Sequence, residues 1–391
     1  MDVYEKALIE HEKLKGKMEI KIKGSLDTRE DLSLMYTPGV AQPCREIYQN
    51  ENDIYKYTWK GNSVAVVTDG SAVLGLGDIG AKAALPVMEG KSILFKQFGG
   101  VDAIPICLDT KDPQEIINIV KAMAPTFGGI NLEDISAPRC VTIERTLIEE
   151  LDIPVFHDDQ HGTAIVLSAG LINALKVVNK KMEDITVVIS GTGAAGSSII
   201  KMIHSLGVKN IYGFNINGIV LREDYDQYDF LTKEISLITN NENKRISMSE
   251  ALKEADVFIG VSAPNLLTKD MVRGMKKDPI IFPMANPEPE ISYEDAIEAG
   301  AKIVGTGRSD YPNQINNVLA FPGLFRGALD VHASRISEEM KLAASYALAS
   351  LISDEELSPT YIIPDAFDER VSKVVAKAVG EKAIEQGYIN E

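Results

Sequence analysis

The segment ITVVISGTGAAGSSIIKMI constrains this chain more than any other. An apolar run rich in β-branched residues is followed at once by Gly191, Gly193 and Gly196, and then by apolar residues at helical spacing. In such a strand–turn–helix unit the first glycine permits the tight turn and the second lets backbone amides approach a pyrophosphate. The third allows close helix–strand packing, and the helix N-terminus draws the phosphate charge. Gly191, Thr192, Gly193, Ala194, Ala195 and Gly196 are therefore candidate contacts to a dinucleotide. A glycine-rich turn that only aids packing is the alternative, and the downstream segments weigh against it. NIYGFN, ADVFIGVSA, PIIFPMAN and AKIVGTG read as further strands with helical stretches between most of them, which predicts an α/β, doubly wound parallel sheet.

A chain of 391 residues is too long for one comfortable core, so two domains are expected. The boundary falls near residue 160, giving units 1–160 and 161–391, the second with a mostly helical tail from Glu338 that packs back on the protein. In the first unit DPQEIINIVKAM predicts a helix capped by Asp112, with Pro113 in the first turn and Glu115 at the capping-box position, stopping at Pro125. INLEDI (130–135) and IPVFHDD (153–159) read as short buried strands running into carboxylates. NNENK (240–244) reads as a surface loop.

A formal net charge of -17 opposes nucleic-acid binding, which needs clustered Lys and Arg. No apolar run is long enough to span a bilayer, and the amino terminus has no apolar signal core, so a cytoplasmic protein is expected. Cys44, Cys107 and Cys140 are scattered without a CxxC spacing, against a disulfide framework or zinc site. With this overall charge, an anionic substrate would need a local cation, and a bound metal is the obvious one.

Asn215 ends the strand after the glycine motif, where an acidic residue would bond the ribose hydroxyls and repel a 2′-phosphate. Asparagine does not repel phosphate by charge, and no Lys or Arg stands beside it, since Asn217 is also neutral. Weak discrimination between NAD and NADP is the expectation. Glu133 and Asp134, and Asp158 and Asp159, each end a predicted strand. Neighbours in a regular strand face opposite ways, but at a strand end they can converge. Oxygen donors without thiolates suit Mg²⁺ or Mn²⁺. Helix caps or solvated loop acids are the alternative reading. His157 and His161 have i, i+4 spacing, but they straddle a strand–helix junction, so packing or hydrogen bonding is favoured over zinc.

Several segments together resemble the malic enzyme family, specifically its small-subunit prokaryotic type: YTPGVA, VVTDGSAVLGLGDIG, PVMEGK, INLEDI, FHDDQHGTA, the ISGTGAAG loop, FPMANPEPE and INNVLAFPG, in the family's order. The resemblance implies an N-terminal substrate domain and a C-terminal Rossmann-type domain. It implies oxidative decarboxylation of malate to pyruvate and CO2 with reduction of NAD or NADP, dependent on Mg²⁺ or Mn²⁺, and decarboxylation of oxaloacetate as well. It implies Tyr36 as general acid, Lys91 as general base supported by Asp158, and Glu133, Asp134 and Asp159 as metal ligands. Asn286 and Asn317 would join Tyr36 and Lys91 in contacting substrate, Asn286 also lying near the nicotinamide. A homo-oligomer, most simply a dimer, is implied, with Tyr36 open to donation by a neighbouring subunit.

The chain departs from large-subunit relatives after TDG, where Ser71 and Ala72 replace an acidic residue and an arginine. That arginine would clamp a substrate carboxylate; the asparagines, backbone amides, Arg139 or Arg308 are the substitutes to consider. The rival readings are a malolactic enzyme releasing lactate, an amino-acid dehydrogenase on a similar plan, and a catalytically dead nucleotide-binding regulator.

Overall fold

Four apolar residues in succession, Val64 to Val67, make a strand that must be covered on both faces. In the structure, a computed structural model that describes residues 1–390, this run forms β1 (Ser63–Thr68) with every residue buried. β1 lies inside a four-stranded, all-parallel sheet of order β2-β1-β3-β4. Its partners are β2 (Asp102–Cys107), β3 (Gly129–Leu132) and β4 (Val155–His157). The first unit is thus a small α/β sheet of its own, of which the sequence pattern predicts only β3 and β4.

The second sheet has the order β10-β9-β8-β5-β6-β7. β5 (Thr186–Ser190), β6 (Asn210–Asn215), β8 (Val257–Gly260), β9 (Ile280–Pro283) and β10 (Ile303–Val304) run parallel, as the alternating pattern predicts. β7 (Gly218–Ile219) is an antiparallel addition paired with β6 across a tight hairpin.

Helix Asp158–Val177 begins on the residue after β4 and runs through the expected boundary at 160. The last helices, Phe321–Asp330, Glu338–Ala349 and Val371–Gln386, pack on one another, on that helix and on Gly80–Gly99 of the first unit. An aromatic seam ties the units: Phe95 lies 4.7 Å from Phe321 and 5.4 Å from Phe325 between ring centres, and Phe325 meets Phe156 edge-on at 6.0 Å. No helix among the described residues is long and apolar enough to cross a membrane.

Several local expectations are corrected. Asp112 caps helix Pro113–Met123 by accepting from the amides of Gln114 and Glu115, but Glu115 accepts from the Thr110 hydroxyl instead of closing a capping box. The helix stops at Met123, and Pro125 lies in a short 3-10 turn. Within NNENK, Asn240 is buried, its amide donating to the Val220 and Lys244 carbonyls. β3 and β4 end before the acids: Glu133 and Asp134 lie beyond the strand, and Asp158 and Asp159 form the first turn of a helix. The first fifty residues contribute no buried side chain.

Candidate active site

Glu133 and Asp134 follow β3 directly, and Asp134 has a φ of 53°. That left-handed turn breaks strand alternation and brings two neighbouring side chains to the same side. Asp159 arrives from the helix after β4, and its carboxylate accepts the Asp134 amide at 2.8 Å. One oxygen from each of Glu133, Asp134 and Asp159 lies within 4.8 Å of the others. Asn131 steadies Glu133 through a 2.8 Å bond from its side-chain amide.

Lys91, on helix Gly80–Gly99, places Nζ 2.6 Å from Asp158 Oδ2 and 2.8 Å from Glu133 Oε1. The ammonium also lies 4.1 Å from the centre of the Phe321 ring. Asn317 joins through Asp158, its amide donating to Oδ2 at 3.0 Å while its carbonyl accepts from Thr163. Gly162 permits this crowding, because a Cβ there would meet Asp158 Oδ1 at 2.0 Å.

The electrostatics are those of buried acids with too little positive charge. Burial, then the carboxylate of Asp159, pushes Asp134 up to about 7. Burial also pushes Glu133 well above the usual carboxylate range; Lys91 opposes the shift and the neighbouring aspartates add to it. For Lys91, burial works against the charge, but Asp158 and Glu133 outweigh it and hold the ammonium above the ordinary lysine range.

The His161 ring serves elsewhere, while the buried His157 ring lies with Nδ1 3.8 Å from Asp159 Oδ2. His161 bonds Glu144 Oε2 at 3.0 Å, and Glu144 Oε1 accepts the His157 amide at 2.8 Å. Burial opposes the charge of Glu144, yet His161 draws its carboxyl down to about 2. No histidine belongs to the metal-ligand cluster among the described residues. Of the two arginines considered for a substrate carboxylate, Arg308 is turned to Asp310 on the surface. Arg139 donates to the buried Asp69, which also accepts from Ser71 Oγ. Sequence reasoning does not single out Asp69, Asn131 or Glu144; Asp69 lies inside the TDGSA motif and Asn131 inside INLEDI, but Glu144 carries no local signal.

On the second sheet, Gly191 has a φ of 98°, and a Cβ on Gly196 would come within 1.9 Å of the Gly191 carbonyl oxygen. Helix Ala194–Ser205 starts at Gly193 without a side-chain cap, so its first amides are open to an anion. Thr192 is buried beneath the turn and accepts at its carbonyl from Ser197, while Ala194 and Ala195 open the helix. Asn215 ends β6 with its Oδ1 bonded to the Asn217 amide at 2.8 Å, leaving its NH2 as the free polar group. Asn286 is exposed just past β9, with no bond to the acidic cluster. Tyr36 stands apart, 66% exposed at the end of helix Arg29–Met35.

A dinucleotide turn on one α/β unit and an acid–lysine cluster on the other define a two-domain, dinucleotide-binding oxidoreductase. The model of the malic enzyme N-terminal domain matches residues 15–148, and that of the malic enzyme NAD binding domain matches residues 160–384. The chain is 57% identical over 387 residues to a bifunctional malic/malolactic enzyme of Bacillus subtilis, covering 99% of this chain and 94% of that one. It is 58% identical to an NAD-dependent malic enzyme of Geobacillus stearothermophilus, covering 95% and 77%. A malic enzyme structure from Pyrococcus horikoshii superposes with a TM-score of 0.95 at 50% identity, covering 100% and 92%. This chain belongs to the malic enzyme family, which sets aside the amino-acid dehydrogenase reading.

Proposed function

We propose that this chain oxidises malate with NAD or NADP and decarboxylates the product to pyruvate and CO2, using Mg²⁺ or Mn²⁺ held by Glu133, Asp134 and Asp159. The observation that carries the reading is the convergence of those three carboxylates beside Lys91. They fit a hard divalent cation: all donors are oxygens, two are buried at the cost of an upward pKa shift, and Asp159 is 43% exposed, leaving a side open to substrate. When bound, such a cation polarises substrate oxygens and stabilises the negative charge that develops as CO2 leaves.

Lys91 Nζ accepts the proton of the malate hydroxyl. Were Glu133 to hold the cation, Lys91 would keep one carboxylate partner, Asp158, and would lose its own proton to solvent more readily, leaving the neutral amine that a base requires. Asp158 and Asn317 fix its position. Asn286, just past β9, would contact the nicotinamide of a bound dinucleotide, which would take up the hydride from malate. Tyr36 Oη delivers a proton to the enolpyruvate carbon. The same groups serve added oxaloacetate.

Tyr36 acts in the site of a second copy of the chain. Its exposure, the lack of buried side chains in residues 1–50 and the exposed Leu8, Ile20, Ile22, Leu32 and Leu34 support a homodimer formed through this arm. Mixed dimers of Tyr36→Phe and Lys91→Ala chains should then regain activity that neither homodimer has.

The test is malate-dependent reduction of NAD and of NADP, with Mn²⁺ and with chelator. Turnover undiminished by chelator, or no reduced cofactor with metal present, ends the proposal. A second reading is favoured by the name of the Bacillus subtilis relative: the chain also returns the hydride and releases lactate. Lactate formed from malate without net cofactor reduction would mark that activity.

A further inference from the structure

The cleft at the end of β6 holds a cation that the residues next to Asn215 in the chain do not reveal. A cleft of about 550 Å³ lies beside the β6–β7 hairpin, and its walls include Asn215, Asn217, Asp224, Tyr228 and Arg245. Arg245 is distant from Asn215 in the chain and reaches the cleft from the segment before helix Met248–Leu252. Its charge is shared. Nε donates to Glu223 Oε1 at 2.7 Å, and Nη2 lies 3.2 Å from each oxygen of Asp224. Nη1 has no protein partner among the described residues, and the side chain is 62% exposed. Asn215, which also lines the cleft, has its carbonyl oxygen bonded within the hairpin, so its amide NH2 is the group left to meet a ligand.

We propose that Arg245 reads the 2′-position of the adenosine ribose, donating through Nη1 to a 2′-phosphate, while Glu223 and Asp224 restrain that preference by sharing its charge. The proposal rests on the reading of Gly191–Gly196 and Asn215 as the dinucleotide site. A guanidinium is the side chain best suited to a phosphate, and two carboxylates fix its plane in advance. Those carboxylates also leave the trio with one net negative charge, which opposes a phosphate dianion. NADP gains the donor and meets the repulsion; NAD, with a hydroxyl at that position, is nearly indifferent to both. Neutral Asn215 therefore does not make the chain NADP-specific, and the balance is set by Arg245 and its two carboxylates in the same cleft.

The experiment is calorimetric titration of the full chain with adenosine 2′,5′-bisphosphate and, separately, with 5′-AMP. Arg245→Gln should weaken the bisphosphate tenfold or more and leave 5′-AMP within twofold. The double variant Glu223→Gln, Asp224→Asn should tighten the bisphosphate fivefold or more, again without moving 5′-AMP. The NADP-to-NAD ratio of kcat/KM should follow the same directions. Equal weakening of both probes by Arg245→Gln, or a bisphosphate affinity within twofold of wild type, overturns the proposal. Because the titrations involve no malate, expected titrations alongside no malate oxidation would overturn the functional reading and leave this one standing.

Discussion

The order β2-β1-β3-β4 places the later strands on the opposite side of β1 from β2, and the second sheet repeats this winding as β6-β5-β8-β9-β10. Each sheet therefore has a switch point, where a crevice opens beyond the strand ends. At the first crest stand Asp69, Glu133 and Asp134, buried acids answered by Lys91 and Arg139. At the second stand Gly191 and Val261, with no charge, where bare backbone amides head a helix. One topology thus makes two crests, and side chains decide the charge that each presents. A cation site needs buried carboxylates and counter-charges that can adjust; an anion site needs the removal of every Cβ between amide and phosphate.

The sharpest break of that comparison is Lys91→Ala. Loss of a general base costs about 10²–10⁴-fold, so malate oxidation should fall by that range. NADH binding, read by fluorescence, should stay within twofold, because the second crest is untouched. A parallel loss of NADH binding would mean the two crests are not separable.

Gly196→Val is the converse. Overpacking a close contact costs about 1–3 kcal/mol, so NADH affinity should drop roughly tenfold to a hundredfold. Mn²⁺ binding, followed by electron paramagnetic resonance, should be retained; its loss would place the proposed metal site under the control of the glycine turn.

Tyr36→Phe sharpens the comparison within the chemistry. Pyruvate formation should fall by about 10²-fold, with oxaloacetate reduction spared. Equal loss of both partial reactions would remove the tyrosine from the protonation step.

The smallest effect concerns stability. Asp134 sits at about 7 in the folded chain against 3.8 as its ordinary value. Between those values the folded state binds more protons than the unfolded one, so stability falls as pH rises through that window. Metal-free protein should lose roughly a few degrees of Tm from pH 4 to 7 relative to Asp134→Asn. Added Mn²⁺ should restore them in the parent chain. A slope shared by both proteins would show that Asp134 does not contribute it.

The second unit is legible in the sequence because its signals are local. A glycine motif between β5 and helix Ala194–Ser205 names its own backbone geometry, and buried apolar runs such as Thr186–Ser190 need no distant partner to read as strands. The first unit is harder to read. SVAVVT and the long helix carrying Lys91 are bounded by glycines but contain no motif that names a function, and the acids look like strand ends although the strands stop short of them.

By itself, then, the order of residues determined the alternation of strands and helices, the glycine turn that heads an uncapped helix and the stock of carboxylates. Tertiary structure alone decided that Asp134 takes a positive φ, that Asn131 and Asn317 hold Glu133 and Asp158, that His161 answers Glu144, and that Arg245 lines one cleft with Asn215. The reason is physical. Turn geometry and hydrophobic period are properties of neighbours in the chain, whereas charge burial and hydrogen-bond partnership depend on which distant segments the packing brings within about 3 Å.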